Sequence, residues 1–332
     1  MAAIGTQVTW KDVAAGVDPS GKTLAIVEMM NERNEIIADI PMKEGNLQTA
    51  HMLSIRDGIP EPTLRRINRG TPVTKATEHA VEFSSLIVED RGEIDELLVK
   101  LQKEPEMFRI RQNRAHIHGI SNKLVEQVFY GDVETTPEGF TGLSAFYSDL
   151  SADSGENIID AGGNDSDLTS MWLVCWAEDM VGGFYPQNMK GGIEHIDKGL
   201  EKCEDSDSNV LYKFVDLFRA SMGFYVGDWR QAARIANIDL SALETAGDET
   251  DSSANLLKYA IQAKHKLYNP SAGPCFWYAR SEIQAALEIK AQNKPNVLLN
   301  IGQLTDGTPI TKLAGYPVHR CDGLLATESR VV

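Results

Sequence analysis

The sequence predicts an α+β protein, with helices and strands in separate stretches instead of strict alternation, and three observations carry that reading. Two strand-like segments, residues 47–56 and 73–83, face each other across a long connection. A single amphipathic pattern runs without interruption over residues 105–130. After Gly131 the chain breaks into short aromatic segments between turns rich in Gly, Asp and Ser, with two more helical patterns further on.

The elements follow from local chemistry. Leu24, Ile26, Val27, Met30, Ile36, Ile37 and Ile40 recur at roughly helical spacing until Pro41 stops them, which predicts an amphipathic helix on an N-terminal arm. In the first strand Leu47, Thr49, His51, Leu53 and Ile55 share a face; in the return strand Val73, Lys75, Thr77, His79, Val81 and Phe83 do. The connection DGIPEPTLRRINRGTP contains Pro60, Pro62 and Pro72 and the basic cluster Arg65, Arg66 and Arg69. So long a loop inside a compact domain is usually functional. Two strands this poor in apolar residues are marginal in water, so the hairpin is expected to lie on another surface, of the same chain or of a neighbour.

The helix over 105–130 has Pro105 in its first turn and Gly131 to end it, with Met107, Ile110, Ile117, Ile120, Leu124 and Val128 forming one apolar stripe. Arg109, Arg111, Arg114 and Lys123 occupy its other faces. Beyond it, residues 210–224 and 229–238 read as strands broken at Gly227-Asp228, residues 253–267 and 281–291 as helices, and residues 310–325 as a closing strand region. Loop 191–209 is acidic.

Length and charge bound the function. The 332 residues suit one large domain or two ordinary ones, and 32 Lys plus Arg against 48 Asp plus Glu give −16, the wrong sign for a protein that grips nucleic-acid phosphates. Residues 1–130 carry −3, residues 131–210 carry −14 and residues 211–332 carry +1. The acidic block is a solvated face or a surface for a basic partner. Cys175, Cys203, Cys275 and Cys321 match neither a disulfide framework nor a metal spacing and are expected to be reduced thiols. The longest apolar run, residues 171–177, is too short for a membrane span, and no secretion signal is expected at MAAIGTQVTWKD.

Catalytic patterns are sparse. Gly16 to Thr23 matches the phosphate-loop string G-x-x-x-x-G-K-[ST], in which Lys22 and Thr23 would reach phosphate and magnesium, but no buried apolar strand leads into Gly16. Leu86 to Asp90 is only a weak match for an acidic, metal-binding strand end. His116 and His118, two apart on a helix, point to different faces and cannot share a metal. The pairs Glu178-Asp179 and Asp165-x-Asp167 fit solvated loops better than acid/base or calcium chemistry. Trp172, Trp176, Phe184, Tyr185, Phe224, Tyr225 and Trp229 suit a core or an interface. No catalytic, cofactor or metal residue is therefore assigned, and no cofactor is expected.

Several long strings carry a resemblance: NLQTAHMLSIRDGIPEPTLRRINRGTPVTK, EQVFYGD with PEGFTGLSAFYSDLS, NIIDAGGNDSDLTSMWLVCWAEDMVGGFYP, GDWRQAARIANIDLSAL and LAGYPVHRCDGLL. In this order they resemble the major capsid proteins of short-tailed bacteriophages of the epsilon-fifteen and Bordetella-phage type. Leu64-Arg65 stands where that pattern has a tryptophan-arginine pair. The resemblance implies the Hong Kong 97-like capsid fold, with an N-terminal arm (1–46), an extended hairpin loop (47–84), a peripheral domain (85–140) built on the spine helix 105–130, and an axial domain (141–332) whose strands return to the peripheral domain.

It also implies an icosahedral shell around double-stranded DNA, built in the host cytoplasm from pentamers and hexamers. Implied partners are a portal and a cementing or scaffolding protein, with neither sequence recognition of DNA nor a membrane. Without N-terminal heptads, no internal scaffolding segment is expected. From the charge map, Arg56, Arg65, Arg66 and Arg69 are expected to meet acidic residues of 131–210 in a neighbouring subunit. Gly131, Gly223 and Gly227 are expected to act as hinges. The competing readings are a phosphate-loop nucleotide hydrolase and a host encapsulating shell protein.

Overall fold

The computed structural model describes residues 34–189, 191–204, 208–245, 255–293, 299–303 and 309–332. The phosphate-loop string and most of the arm lie outside these residues. Of the arm, a single turn α1 (Ile36–Asp39) and the short strand β1 (Met42–Glu44) are described.

Two sheets form the frame. The first contains β1, β2 (Ala50–Gly58), β3 (Thr77–Asp95), β6 (Val181–Tyr185), β7 (Ile193–Glu204) and β8 (Val210–Val226). Its order is β1-β6-β8-β3-β2, with β7 also paired to β8. The second contains β4 (Ile158–Asp160), β5 (Leu168–Cys175), β9 (Ala232–Asp239), β10 (Cys275–Ala279), β11 (Leu299–Gln303), β12 (Pro309–Leu313) and β13 (Tyr316–Arg320). Its order is β11-β12-β13-β10-β5-β9-β4.

Two strand boundaries differ from expectation. The return strand of the hairpin runs on to Asp95, because residues 85–95 pair antiparallel with β8, which the local pattern could not reveal. Residues 193–204, expected as loop, form the edge strand β7 paired along β8, with Gly199 at a positive φ where the register shifts.

The spine helix, α3 (Pro105–Tyr130), has the expected bounds. It follows the short α2 (Glu96–Lys100). Only its C-terminal half lies between the two sheets: Ile120, Leu124, Val125, Val128 and Phe129 join Leu86, Phe218 and Phe224 of the first sheet and Trp172, Val174 and Ala236 of the second in one core. Met107, Ile110 and Ile117, expected on the same buried stripe, are instead 58, 50 and 38% exposed. In that half the buried apolar residue is Phe108, which packs on Ile94 and Val99. The rest faces charged groups: Arg109 reaches Asp216 and Asp197 at 3.0 Å each, and His116 lies 2.6 Å from Asp90. His195 shares the buried Asp216 carboxylate at 2.8 Å. The Arg109 hydrogen bond, more than any other cause, holds the Asp197 carboxyl below the usual carboxylate range.

A second core joins the other face of the seven-stranded sheet to the helices α6 (Leu256–Lys266) and α7 (Ser281–Asn293), through Leu173, Ile235, Tyr259, Ala260, Trp277 and Ile283. Of the short helices, α4 (Leu143–Phe146) packs on the spine helix and α5 (Leu240–Thr245) on α7. The aromatic set is core as expected: Trp172, Trp176, Phe184, Phe224 and Tyr225 are buried, and Trp176 meets Phe224 edge-to-face. Among the described residues no helix is long and apolar enough to cross a membrane.

The three glycines expected as hinges lie at close approaches of the chain. A Cβ on Gly131 would run into the carbonyl oxygens of Phe140 and Gln127, on Gly223 into the Phe184 ring, and on Gly227 into the Asp179 carbonyl. The cysteine expectation is also corrected. Antiparallel pairing puts Cys175 directly opposite Cys275, and the two form a disulfide, while Cys203 and Cys321 stay free. Sequence spacing of 100 residues hid a pair that strand register creates. Closing a loop that long restricts the unfolded chain, so Cys175→Ala with Cys275→Ala is expected to lower stability by about 2–4 kcal/mol, measured by denaturant titration with a free-thiol count of the unsubstituted chain beside it.

Candidate assembly surface

The hairpin projects two strands and a loop with no strand pairing of its own. Its stem is set by the register Ala50↔Ser84 through Arg56↔Glu78, with an irregularity between Arg56 and Gly58. Residues 59–76 follow as an unpaired loop. The loop carries a local turn: Asn68 has a positive φ, Arg69 N donates to Arg66 O at 3.2 Å, and Arg65 Nε donates to Arg69 O at 2.8 Å.

Of the four arginines singled out in the sequence, this turn brings together Arg65, Arg66 and Arg69. Arg56 stays behind on the stem, where its guanidinium donates twice to Glu78 Oε1, at 2.9 and 2.7 Å. Its charge is therefore met within its own hairpin, unlike that of the tip.

The sequence reading missed the apolar part of this surface. Ile59, Leu64, Ile67 and Val73 are between 87 and 104% exposed. Four large apolar side chains interleaved with arginines on one projecting loop form a surface suited to a protein partner. The available signal was their presence in a loop otherwise built of Pro, Gly and charged residues.

The acidic stretch is partly neutralised within the chain. Asp179 pairs with Lys43, Asp197 with Arg109 and Glu201 with Arg91. Glu134, Glu138, Asp149, Asp153 and Asp165 remain on exposed positions. Asp165, Asp167 and Asp239 bring carboxylate oxygens within 4.8 Å of one another. Those oxygens accept from backbone and hydroxyl groups at the start of α5: Asp167 from Ser241 N, and Asp239 from Ser241 Oγ and Ala242 N.

The hairpin root is sealed by His51, buried against the rings of Phe184 and Tyr225 at 5.4 Å each. Its Nδ1 accepts from Asn46 N at 3.3 Å, so the neutral ring carries its proton on Nε2. Burial, and after it the nearby Lys43 ammonium, push the His51 pKa below its ordinary value. A histidine depressed in the folded state contributes stability above its unfolded pKa of about 6.5, and that contribution is lost as pH falls through the depressed value. Between pH about 7.5 and 5.5 the unsubstituted chain is expected to lose more stability than His51→Gln, read from denaturant midpoints.

Comparisons with known proteins agree with this geometry. A chain in the structure of bacteriophage Epsilon15 is similar at a TM-score of 0.76 and 29% identity, over 100% of this chain and 99% of that one. The capsid of bacteriophage JBD30 shares the fold at a TM-score of 0.52 and 8% identity, over 92% of this chain and 99% of that one. No curated protein matches. The α+β, Hong Kong 97-like class expected from the sequence is the fold observed. The family model described as major capsid protein GP7 matches residues 18–332, and with that coverage, on a fold that carries a hairpin with an unpaired, apolar and basic loop, the chain belongs to the major capsid protein family.

Proposed function

We propose that each hairpin lies on a neighbouring copy, its tip arginines Arg65, Arg66 and Arg69 meeting acidic residues of 131–210, and that this contact repeats around pentamers and hexamers to close the shell. As a member of its family the protein is a shell-forming capsid protein of a tailed phage, located in the virion. The observation that carries the contact is the tip itself, where four exposed apolar residues and three clustered guanidinium groups lie far from either core. Repetition matters because a contact between copies contributes once per subunit and depends on protomer concentration.

The division into arm 1–46, hairpin loop 47–84, peripheral domain 85–140 and axial domain 141–332 is part of the same reading. Its support is that the first sheet and the spine helix adjoin the hairpin while the seven-stranded sheet and its helices fall within 158–320. Arg56, already paired with Glu78, belongs to the stem and contributes less to the contact than the tip. The shell encloses double-stranded DNA without recognising its sequence: a net charge of −16 disfavours tight adhesion to phosphates. A portal and a cementing or scaffolding protein complete the particle, and the role is structural, with no catalysis.

The test is electron microscopy of the purified full-length chain under assembly conditions, with analysis of what isolated particles contain. Closed icosahedral particles, with DNA inside those from infected cells, are expected. Protein cargo in place of DNA would favour a host encapsulating shell. Saturable ATP binding lost in Lys22→Ala would revive the nucleotide hydrolase.

A further inference from the structure

The projecting loop begins with a segment whose shape its prolines set. In Ile59-Pro60-Glu61-Pro62-Thr63 each proline fixes its own φ and biases the residue before it to extended backbone. Alternate residues of an extended chain turn their hydrogen-bonding groups to opposite edges, and the prolines leave one edge without N–H groups. The segment is therefore a one-sided strand: Ile59, Glu61 and Thr63 can pair along one edge, and the other edge cannot pass the pairing on. Glu61 is exposed and has no ion-pair partner among the described residues.

The seven-stranded sheet ends in an edge that suits such a strand. β4 is its last strand and pairs with β9 alone. Ala161 N donates to Ala236 O at 3.0 Å, so Ile159 and Ala161 turn toward β9 and Asp160 turns its N–H and C=O outward. Beside that edge a groove of about 610 Å³ lies between β4 and α6, lined by Ile158, Ile159, Asp160, Ile261, His265 and Lys266. The Lys266 ammonium meets the Glu156 carbonyl oxygen, and Tyr259 Oη donates to Ala161 O at 3.4 Å, so α6 runs antiparallel to β4. Lys266 has no carboxylate partner among the described residues. The helix side of the groove is thus basic, while exposed Asp153, Glu156 and Asp160 make the strand side acidic.

We propose that residues 59–66 of a neighbouring copy enter this groove, the proline segment adding antiparallel to β4 at Asp160. Ile59 and Glu61 share a face and lie about 6.6 Å apart at about 3.3 Å per residue; Ile261 and Lys266 lie about 7.5 Å apart along α6 at about 1.5 Å per residue. Ile59 on Ile261 therefore brings Glu61 to Lys266. The chain then runs toward the start of β4 and delivers Arg65 and Arg66 to Asp153 and Glu156. Both signs of charge and the apolar contact are matched in order, which a second copy of this chain supplies and DNA, with phosphates alone, does not. The inference rests on the reading that the hairpin lies on a neighbouring copy, and it names the receiving residues within 131–210.

Carbodiimide treatment of particles assembled from mixed ¹⁵N-labelled and unlabelled full-length chains tests it. The reagent activates a carboxylate, a neighbouring amine displaces it to form an amide, and the oxygen leaves with the urea by-product. A link between Glu61 and Lys266 of mixed isotope is expected in particles and not in unassembled subunits. A link confined to single chains, or no link, overturns the proposal. Glu61→Lys and Lys266→Glu are each expected to lower particle yield severalfold, and the two together to restore it. Full yield from the single variants, or a double variant no better than either, overturns the proposal; where a variant fails to fold, the link in the unsubstituted chain decides. Loss of particles in Arg65→Glu with Arg66→Glu, without any link between Glu61 and Lys266, removes the groove and keeps the tip contact.

Discussion

Replacing Arg65 and Arg66 together by glutamate is expected to abolish closed particles while leaving the fold of the subunit intact. The tip side chains belong to neither core, and the local bonds from Arg65 Nε to the Arg69 carbonyl and from Arg69 N to the Arg66 carbonyl hold only the turn. Thermal melting and circular dichroism of the variant should match the unsubstituted chain. Each exposed ion pair is worth about 0–1 kcal/mol, so reversing two charges removes two attractions and adds two repulsions, up to about 4 kcal/mol per contact. That is modest once and decisive when every subunit repeats it. Arg65→Lys with Arg66→Lys should preserve assembly, because charge and not bidentate geometry is what the proposal needs. Normal particles from the double glutamate variant would remove the electrostatic contact and leave the family assignment standing.

Glu328→Ala is expected to cost about 3–5 kcal/mol of subunit stability, because it strands a buried guanidinium. Arg234 and Glu328 are both nearly fully buried and 2.8 Å apart. Arg234 also donates to Ser170 Oγ at 3.0 Å and to the Tyr147 carbonyl at 2.7 Å, and lies over the Trp172 ring. Tyr130 and Ser170 donate to the Glu328 carboxylate, and Leu325 N donates to the Tyr130 hydroxyl at 2.9 Å. Burial first, and then the Glu328 charge, push the Tyr130 phenol well above its ordinary value, so it stays a donor.

This network ties the last turn of the spine helix, the seven-stranded sheet and the chain's C-terminal segment together. Asn237 extends the clamp by exchanging two 2.9 Å hydrogen bonds with the backbone of Val331. Glu328→Gln, which keeps an acceptor, should cost less than alanine. Arg234→Met with Glu328→Leu should recover much of the loss, since no charge is left unpaired. The denaturant midpoint reports all three, with an unchanged slope showing that the folded state is the same.

Neither Arg234 nor Glu328 could be singled out from the sequence. They are 94 residues apart, and nothing near either position distinguishes it from a surface charge. The same holds for Cys175 and Cys275, which only the register of β5 and β10 makes neighbours. By contrast, the spine helix, the hairpin and the break at Gly227-Asp228 were legible, because each is set by local rules: a proline start and glycine stop, period-two alternation, a turn dipeptide. At the assembly surface the arginines were legible as a cluster, and the apolar residues between them were not. Single exposed apolar side chains look ordinary until the fold shows that no core receives them.

The sequence by itself determined the class of fold, the bounds of the spine helix, the existence and basic character of the hairpin, and the acidic block of residues 131–210, because these depend on neighbours three or four residues away and on composition. Tertiary structure alone decided which half of the spine helix is buried, that residues 193–204 are a strand, that two distant cysteines meet, and that three glycines sit where a Cβ would clash. Burial is decided by what packs against a face. Two sheets flank the C-terminal half of the helix, and a row of charged groups meets the other half, a distinction no periodicity within the helix itself can encode.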